Sequence, residues 1–594
     1  PSLAGIYLHE VHCAEAPDVH SDELEAFSAF CEKHFGEKYP LDTMPDGKAN
    51  DKWQRRFFLY KNEIITKFTR IMRKTADRFN METIFCLYSP EIASNSAVWG
   101  YDSVALEENS DRLWVVIQAE YRDLKNSWQD TGQGYKGSNV PFRQTMAFHG
   151  KPVSVFESRF ILFPQVPRKY YQQYGNYTKI HGDFLNGYLK KSEKVLELFT
   201  GVENVKKWNQ LHAKWLGAES KARIALIASS RPFVLRFPDN AGKEYRKVFT
   251  PLLDALKNHF LADAQVAGSQ FTLDTDNLLK YDLMIIPQEM GLGLDDKFLD
   301  SIRRYLASGR KILVLGSGLS SASLDLEKQI DHSEELLGVR IAKEPQTASV
   351  TPHSTKIPRL PEKSWQQSFA VEVTSADEVL ITDRVSGQAL LTRKGNAYYL
   401  AFGQDFDNGD WLASLLEWLA PQPAALKNNS GFRFSAMTCL NNMLCVALPC
   451  EKAASAVLVI DSKKLGLEGD RFELRNIITG KTVCTTDAAG LLQGIAVKTD
   501  YDSEPCVLVV GQPQDVAEYS GIYPDNSVFA DMGKINIVEN PEVAIAISDK
   551  PGIKVGVYQN AYGAEEIYTQ LNSISDFNCF YLPRLDNECM AQAD

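Results

Sequence analysis

Three glutamates stand at or just beyond the ends of short apolar runs. Val153-Ser154-Val155-Phe156 is a β-branched and aromatic run of the kind that forms a buried strand. It is entered through Gly150-Lys151-Pro152 and followed by Glu157, Ser158 and Arg159. A charge at the carboxyl end of a parallel barrel strand stands where barrel enzymes keep their reacting groups. The plainer alternative is an ion pair between Glu157 and Arg159. Ile6-Tyr7-Leu8 is a second such run and leads into His9 and Glu10. A third, Leu113-Trp114-Val115-Val116-Ile117-Gln118-Ala119, leads into Glu120. Two carboxyls whose surroundings push their pKa values apart can divide labour as acid and as base or nucleophile. His9, Glu10, His12 and Cys13 are ligand types, but the spacing is not H-E-x-x-H. On a strand His9 and Glu10 point to opposite faces. No metal site is expected there, and no cofactor is indicated.

Composition narrows the possibilities. A chain of 594 residues suggests about three to five domains. The net charge of -12 disfavours nucleic acid and anionic membrane as partners, since both need a basic face. No apolar run approaches the roughly 18 residues of a membrane span, and no signal peptide is visible at Pro1. The compartment stays open between cytoplasmic and periplasmic or secreted. The ten cysteines are scattered without a C-x-x-C pair and read as mostly buried free thiols. The chain opens within or just before a strand and stops at Met590-Ala591-Gln592-Ala593-Asp594. That reads as a piece of a longer protein.

The elements around the acids alternate. A helix is expected from Ser21-Asp22-Glu23, with acids in its first turn, to Gly36. A second is expected over 53–79, with Phe57, Ile64, Ile65, Phe68, Ile71 and Met72 at helical spacing. Thr83-Ile84-Phe85-Cys86-Leu87-Tyr88 is a strand, and a short helix is expected near 142–148. Strand and helix in alternation is a β/α pattern. About four strands fall in the first 200 residues, half of a full barrel.

Tyr7-Leu8-His9-Glu10, the helix ending Cys31-Glu32-Lys33-His34-Phe35-Gly36 and the aromatic-rich helix from Trp53 resemble the middle of the barrel in clan A glycoside hydrolases. The similarity is to the family 42 β-galactosidases. The resemblance implies a retaining glycosidase, with Glu10 as acid/base and Glu157 as nucleophile. His9, Glu120 and Arg159 would then line the sugar site. Arg159, pointing inward, would help keep Glu157 ionised. Glu157 is preferred to Glu120 because Gly150-Lys151-Pro152 supplies the turn expected before the nucleophile strand. His9 stands where the family has Asn, and no clear eighth strand follows Glu157. Both favour the alternative, a non-catalytic carbohydrate-binding or assembly protein of the same architecture. Tyr170, Tyr171, Tyr174 and Tyr177 could line a sugar site or fill a core.

Beyond Lys221 the pattern becomes that of an open parallel sheet of flavodoxin type. Arg223-Ile224-Ala225-Leu226-Ile227-Ala228, a helix over 245–260, Tyr281-Asp282-Leu283-Met284-Ile285-Ile286-Pro287, a helix over 295–308 and Lys311-Ile312-Leu313-Val314-Leu315-Gly316 follow in order. This resembles the amidotransferase-like trimerisation domain of family 42 enzymes, which implies a homo-oligomer, a trimer. A working glutaminase needs a cysteine at the turn after that last strand; Gly316-Ser317-Gly318 has none. Gly316-x-Gly318 could cradle a phosphate at a helix N-terminus, though G-x-G-x-x-G fails at Ser321. Short runs over 444–510 suggest a small antiparallel sandwich. A strand at 553–558, a helix over 564–571 and a strand at 577–582 suggest the start of a second α/β unit. The expected class is α/β multidomain. It comprises 1–216 as part of a (β/α)8 barrel, 221–422 as the amidotransferase-like domain, 430–513 as a β-sandwich and 535–594 as an incomplete second α/β domain. The implied partner is an oligo- or polysaccharide.

Overall fold

The computed structural model describes residues 5–8, 21–41, 52–88, 109–116, 153–156, 219–228, 231–236, 241–266, 278–294, 296–357, 360–406, 409–434, 436–448, 454–477, 479–499, 506–521, 535–539, 543–548, 555–559 and 566–569. The chain is mixed α/β and forms two compact units. One is built on 1–116, 140–153 and 222–422, the other on 117–139, 154–221 and 423–594.

In the first unit β1 (Gly5–Leu8), β2 (Glu82–Tyr88) and β3 (Arg112–Val116) follow one another in sheet order, and β4 (Val153–Phe156), of which only Val153 belongs to this unit, comes next in that order. β1 pairs parallel with β2, and β2 with β3, so that Leu8, Phe85 and Leu113 stand level. Each strand neighbours the next in sequence, as in a singly wound barrel. Barrel closure is not seen among the described residues. The crossover from β1 to β2 holds α1 (Ser21–Phe35) and α2 (Lys52–Arg78). α1 begins with Asp22 and Glu23 and ends with Lys33 and His34, each matching the helix dipole. Gly36 follows with φ 70, a left-handed stop. Phe27, Cys31, Tyr39 and Phe57 make the buried seam between the helices. Phe27 lies 4.9 Å from Tyr39 and 5.1 Å from Phe57, ring centre to ring centre.

The rest of this unit comprises β6 (Ile224–Ala228), β7 (Ala262–Val266), β8 (Leu283–Ile286), β9 (Leu292–Leu294), β10 (Lys311–Leu315), β11 (Ser320–Ala322), β12 (Gln329–Asp331), β13 (Val339–Gln346), β14 (Pro352–His353), β15 (Ser368–Val373), β16 (Glu378–Asp383), β17 (Ala389–Lys394) and β18 (Ala397–Leu400), after β5 (Glu219–Ser220) of the other unit. Its helices are α3 (Arg231–Arg236), α4 (Ala241–Lys257), α5 (Asp296–Ala307), α6 (Ser333–Leu337) and α7 (Asp410–Leu419). The main sheet runs β14–β16–β17–β18–β10–β8–β6–β7. β7, β6, β8, β10 and β18 are parallel neighbours, the doubly wound order expected. Every residue of β6 and β8 is buried; unbroken apolar strands mark a parallel sheet covered on both faces. α5 buries Phe298, Leu299, Ile302 and Tyr305 on one face, and α7 buries Trp411, Leu412, Leu415, Leu416 and Leu419.

The turn between β11 and β12 is plugged into α1 and α2. Leu324 and Leu326 pack on the Phe27 and Phe57 cluster. Between them Asp325 accepts from Arg56 Nε at 2.8 Å, and its own carbonyl accepts from Arg55 Nε at 2.7 Å. Arg55 also pairs with Glu327. The Arg56 guanidinium lies 4.4 Å from the Phe35 ring centre and 4.9 Å from that of Trp53, and donates to Glu37 at 2.9 Å. The Arg56 and Asp325 side chains are only 7% and 2% exposed. Burial pushes the Asp325 carboxyl up, but hydrogen bonds from Ser323, Arg56 and the Glu327 N–H outweigh it and hold it below the usual aspartate range.

The second unit is all antiparallel in its described residues. β19 (Ala424–Lys427), β20 (Ala436–Leu440), β21 (Met443–Ala447), β22 (Ser455–Ile460), β23 (Phe472–Asn476), β24 (Thr482–Thr486), β25 (Ile495–Lys498) and β26 (Val507–Gly511) form two sheets, β24–β23–β26–β21–β20–β5 and β19–β22–β25. β5 lies in the polar stretch just before β6, where Glu219 and Ser220 pair with Cys439 and Thr438 as an edge strand. β27 (Ile535–Glu539), β28 (Val543–Ser548), β29 (Val555–Gln559) and β30 (Glu566–Thr569) form an antiparallel meander. The helix expected over 564–571 is therefore corrected. Ile567-Tyr568-Thr569 is β-branched and aromatic, and pairing with β29 overrides the helix-forming Ala564, Glu565 and Glu566. The described residues between 535 and 569 form this meander, and the strand expected at 577–582 lies outside the described residues.

Removing one partner of a buried ion pair costs about 3–5 kcal/mol. Asp325→Ala should therefore lower the thermal unfolding midpoint by several degrees. Removing Glu334 from its exposed pair with Arg340 should change it far less. The Asp325 carboxyl is depressed, so its contribution is present above the unfolded aspartate pKa and is lost as pH falls through the folded one. Midpoints measured down through the acid range should converge for wild type and Asp325→Ala.

Candidate functional site

The strand-end residues singled out by sequence are His9, Glu10, Glu120, Glu157 and Arg159. All five lie outside the described residues, as do Tyr170, Tyr171, Tyr174 and Tyr177. The strands before them are described. β1 ends at Leu8 and β4 at Phe156, one residue before His9 and before Glu157. β3 ends at Val116, four residues before Glu120. β1, β2 and β3 run parallel, so their carboxyl ends open on one edge of the sheet.

The glycines after β10 do not form a phosphate cradle. Gly316 and Gly318 take φ 65 and 81, but the loop runs into β11, not a helix. A Cβ at Gly316 would stand 2.8 Å from the Gln288 side chain, and one at Gly318 2.6 Å from Ser333 Oγ. The space the glycines leave is already filled. Gly316 also accepts from the buried Tyr399 hydroxyl at 2.6 Å through its carbonyl.

A polar cluster that sequence reading misses lies beside this loop. The parallel sheet reverses its winding between β6 and β8, and ligands of doubly wound folds bind outside the carboxyl ends at such a point. After β8, Met290 N donates to Pro287 O at 3.1 Å, closing a turn over Gln288 and Glu289. Glu289 is the third turn residue, with φ 68. Glycine or asparagine normally stands there; another residue pays about 1–2 kcal/mol. Glu289 N donates to Ser317 Oγ, from the loop after β10, at 2.7 Å. Arg236, the last residue of α3 after β6, donates Nη1 to Glu289 Oε2 at 3.0 Å. Burial pushes the Glu289 carboxyl up, helped by nearby Glu344 and opposed by Arg236 and Gln288. Its ionised form therefore works against folding once pH rises above the raised pKa. The sequence signal was a charged residue two positions after Ile285-Ile286-Pro287. The backbone strain and the three converging segments were not readable there.

A second relay lies on the β11–β12 hairpin. Ser321 Oγ stands 2.9 Å from His332 Nε2, and His332 Nδ1 stands 3.1 Å from Glu335 Oε2. Arg303 holds Glu335 at 2.9 Å. Burial opposes ionisation of Glu335, but hydrogen bonds from His332 and Arg303 win and lower its pKa. The order is that of a base-activated serine. Ser321, however, is 5% exposed, too buried to meet a substrate. Ser321 sits in the hairpin and Glu335 in α6, so the chain of contacts braces one against the other.

Among the described residues no group of His, Cys, Asp and Glu could hold a metal ion, and no helix is long and apolar enough to cross a membrane. Cys31 and Cys484 are free thiols.

No protein-family model matches the chain, and no curated protein matches it in sequence. Among solved structures it is similar to the β-galactosidase from the psychrophilic Marinomonas ef1, at 10% identity and a TM-score of 0.48, over 83% of this chain and 74% of that one.

Burial in the aromatic seam pushes the Cys31 thiol up to about 12, against the pull of Arg56. The reactive species is the thiolate, so Cys31 should escape iodoacetamide at pH 8 in the folded chain and be alkylated in urea. Peptide mass spectrometry reads both states.

Proposed function

We propose that the chain is the C-terminal part of a retaining glycoside hydrolase barrel with its following domains, acting on a β-galactoside or a related glycoside. The observation that supports this reading is the order β1–β2–β3–β4. Winding in one direction is the barrel's habit, and Glu10 and Glu157 come just after the first and last of these strands in sequence. Glu10 is the acid/base and Glu157 the nucleophile. Glu10 protonates the glycosidic oxygen as the Glu157 carboxylate attacks the anomeric carbon, and the leaving group departs. Glu10 then takes a proton from water, which cleaves the glycosyl–Glu157 ester and regenerates both carboxyls. In retaining enzymes the two stand about 5–5.5 Å apart. His9 donates a hydrogen bond to a sugar hydroxyl, Arg159 keeps Glu157 ionised, and Glu120 lines the same site. The domain order given by the sequence reading belongs to this proposal, as does a homotrimer formed through residues 221–422.

The test is hydrolysis of nitrophenyl β-galactoside and related aryl glycosides. A bell-shaped pH profile is expected from two titrating carboxyls. Glu10→Gln and Glu157→Gln should each lose about 10²- to 10⁴-fold in rate. If Glu120→Gln abolishes turnover while Glu157→Gln leaves it intact, the nucleophile is Glu120. A full-length protein that binds glycosides and hydrolyses none would move the assignment to the non-catalytic alternative.

A further inference from the structure

Three segments meet at the point where the parallel sheet reverses its winding, and each brings one polar side chain. Arg236 comes from the segment after β6, Glu289 from the turn after β8 and Ser317 from the loop after β10. The cluster costs the fold twice. Glu289 occupies a left-handed turn position that glycine would fill without strain. Its carboxyl is held in a poorly solvated place where an amide would be cheaper. Strain and desolvated charge gathered at one point mark functional sites. Neither cost is needed to close the turn.

The groups present decide which ligand would fit. Arg236 keeps its charge at any physiological pH. Of its five N–H donors, only the one on Glu289 is engaged among the described residues. Its side chain is 24% exposed, as is that of Glu289, so both are within reach of solvent. Ser317 accepts from Glu289 N, which leaves its own hydroxyl proton to donate. The opposing charges are Glu289 itself and Glu344 of β13. Gln288 belongs to the cluster as well: its side chain fills the hollow left by Gly316 and Gly403 and hydrogen-bonds the Glu289 carboxyl.

We propose that this crevice binds a small oxyanion, a carboxylate or phosphate-type group, on the Arg236 guanidinium, with Glu289 released from Arg236 and protonated as the ligand enters. The planar fork of arginine matches both kinds of oxyanion. The proton comes from solvent, so the ligand's negative charge replaces that of the carboxylate. Burial already favours the neutral form of Glu289, which lowers the cost of the exchange. Binding of this kind weakens tenfold per pH unit above the Glu289 pKa, because the competent protonated form falls by that factor. The proposal stands apart from the glycosidase reading.

The experiment is isothermal titration calorimetry of the whole chain with sulfate and, separately, with acetate, between pH 6 and pH 8. Neither probe titrates in that range, and the tighter of the two names the ligand class. Wild type should bind more tightly at pH 6, with proton uptake visible as a dependence of the heat on buffer ionisation. Glu289→Gln should bind at least tenfold more tightly than wild type at pH 8 and lose the pH slope. Arg236→Gln should lose binding at both pH values, with near-UV circular dichroism checking that it is folded. Absence of binding by both wild type and Glu289→Gln overturns the proposal. So does an unchanged pH slope in Glu289→Gln, or binding that survives Arg236→Gln.

Discussion

The contact between Arg56 and Asp325 is what ties the N-terminal helices to the small β12–β11–β9 sheet within the first unit. Both groups are charged and both are out of water, an arrangement that is expensive unless every partner is in place. Here each partner is present. The flat guanidinium lies against Phe35 and Trp53 and is hydrogen-bonded to Asp325 and Glu37. Asp325 takes further hydrogen bonds from Ser323 and the Glu327 N–H. Leu324 and Leu326 on either side add apolar burial. The turn that carries them also constrains its own neighbours. Leu326 has φ 60, and Gly293 takes φ 83, a left-handed conformation that favours glycine, with a Cβ there 2.8 Å from Leu326 Cδ2.

Two winding habits coexist in the chain. The sheet of β1 to β4 proceeds one strand at a time in one direction. The sheet of β6 to β18 starts at β6, adds β7 on one side and then reverses to add β8, β10 and β18 on the other. The physical consequence is where polar side chains can be afforded. Carboxyl ends of parallel strands open into loops in both sheets, but only a reversal leaves two adjacent loops diverging to opposite faces, with a crevice between them. Arg236, at the end of α3, and Glu289, in the turn after β8, come from the two segments at that reversal.

The two polar clusters of the doubly wound half differ in what they cost. Ser321, His332 and Glu335 are satisfied in sequence and held by Arg303. They resemble a reactive relay but behave as a brace, since burial that shields the hydroxyl also removes its access. Glu289 sits in a strained backbone with a carboxyl whose ionised form burial opposes. A similar set of residue types thus supports opposite conclusions, and exposure and backbone conformation decide between them.

The sequence by itself determined the elements whose period is strong. α1, α2, β2, β6, β8, β10 and α5 stand where apolar spacing and turn residues put them, because each pattern suits one local geometry. The doubly wound order of residues 222–422 was legible for the same reason, with fully buried strands alternating with amphipathic helices. Tertiary structure alone decided Glu219–Ser220 as an edge strand and Glu566–Thr569 as a strand, since a short segment takes the form of the strand it pairs with. It alone decided that Gly316 and Gly318 are filled by Gln288 and Ser333, and that Asp325 reaches Arg56 across a separation of 269 residues. Those outcomes depend on atoms brought close by the chain's path, and no local pattern encodes a partner that far away.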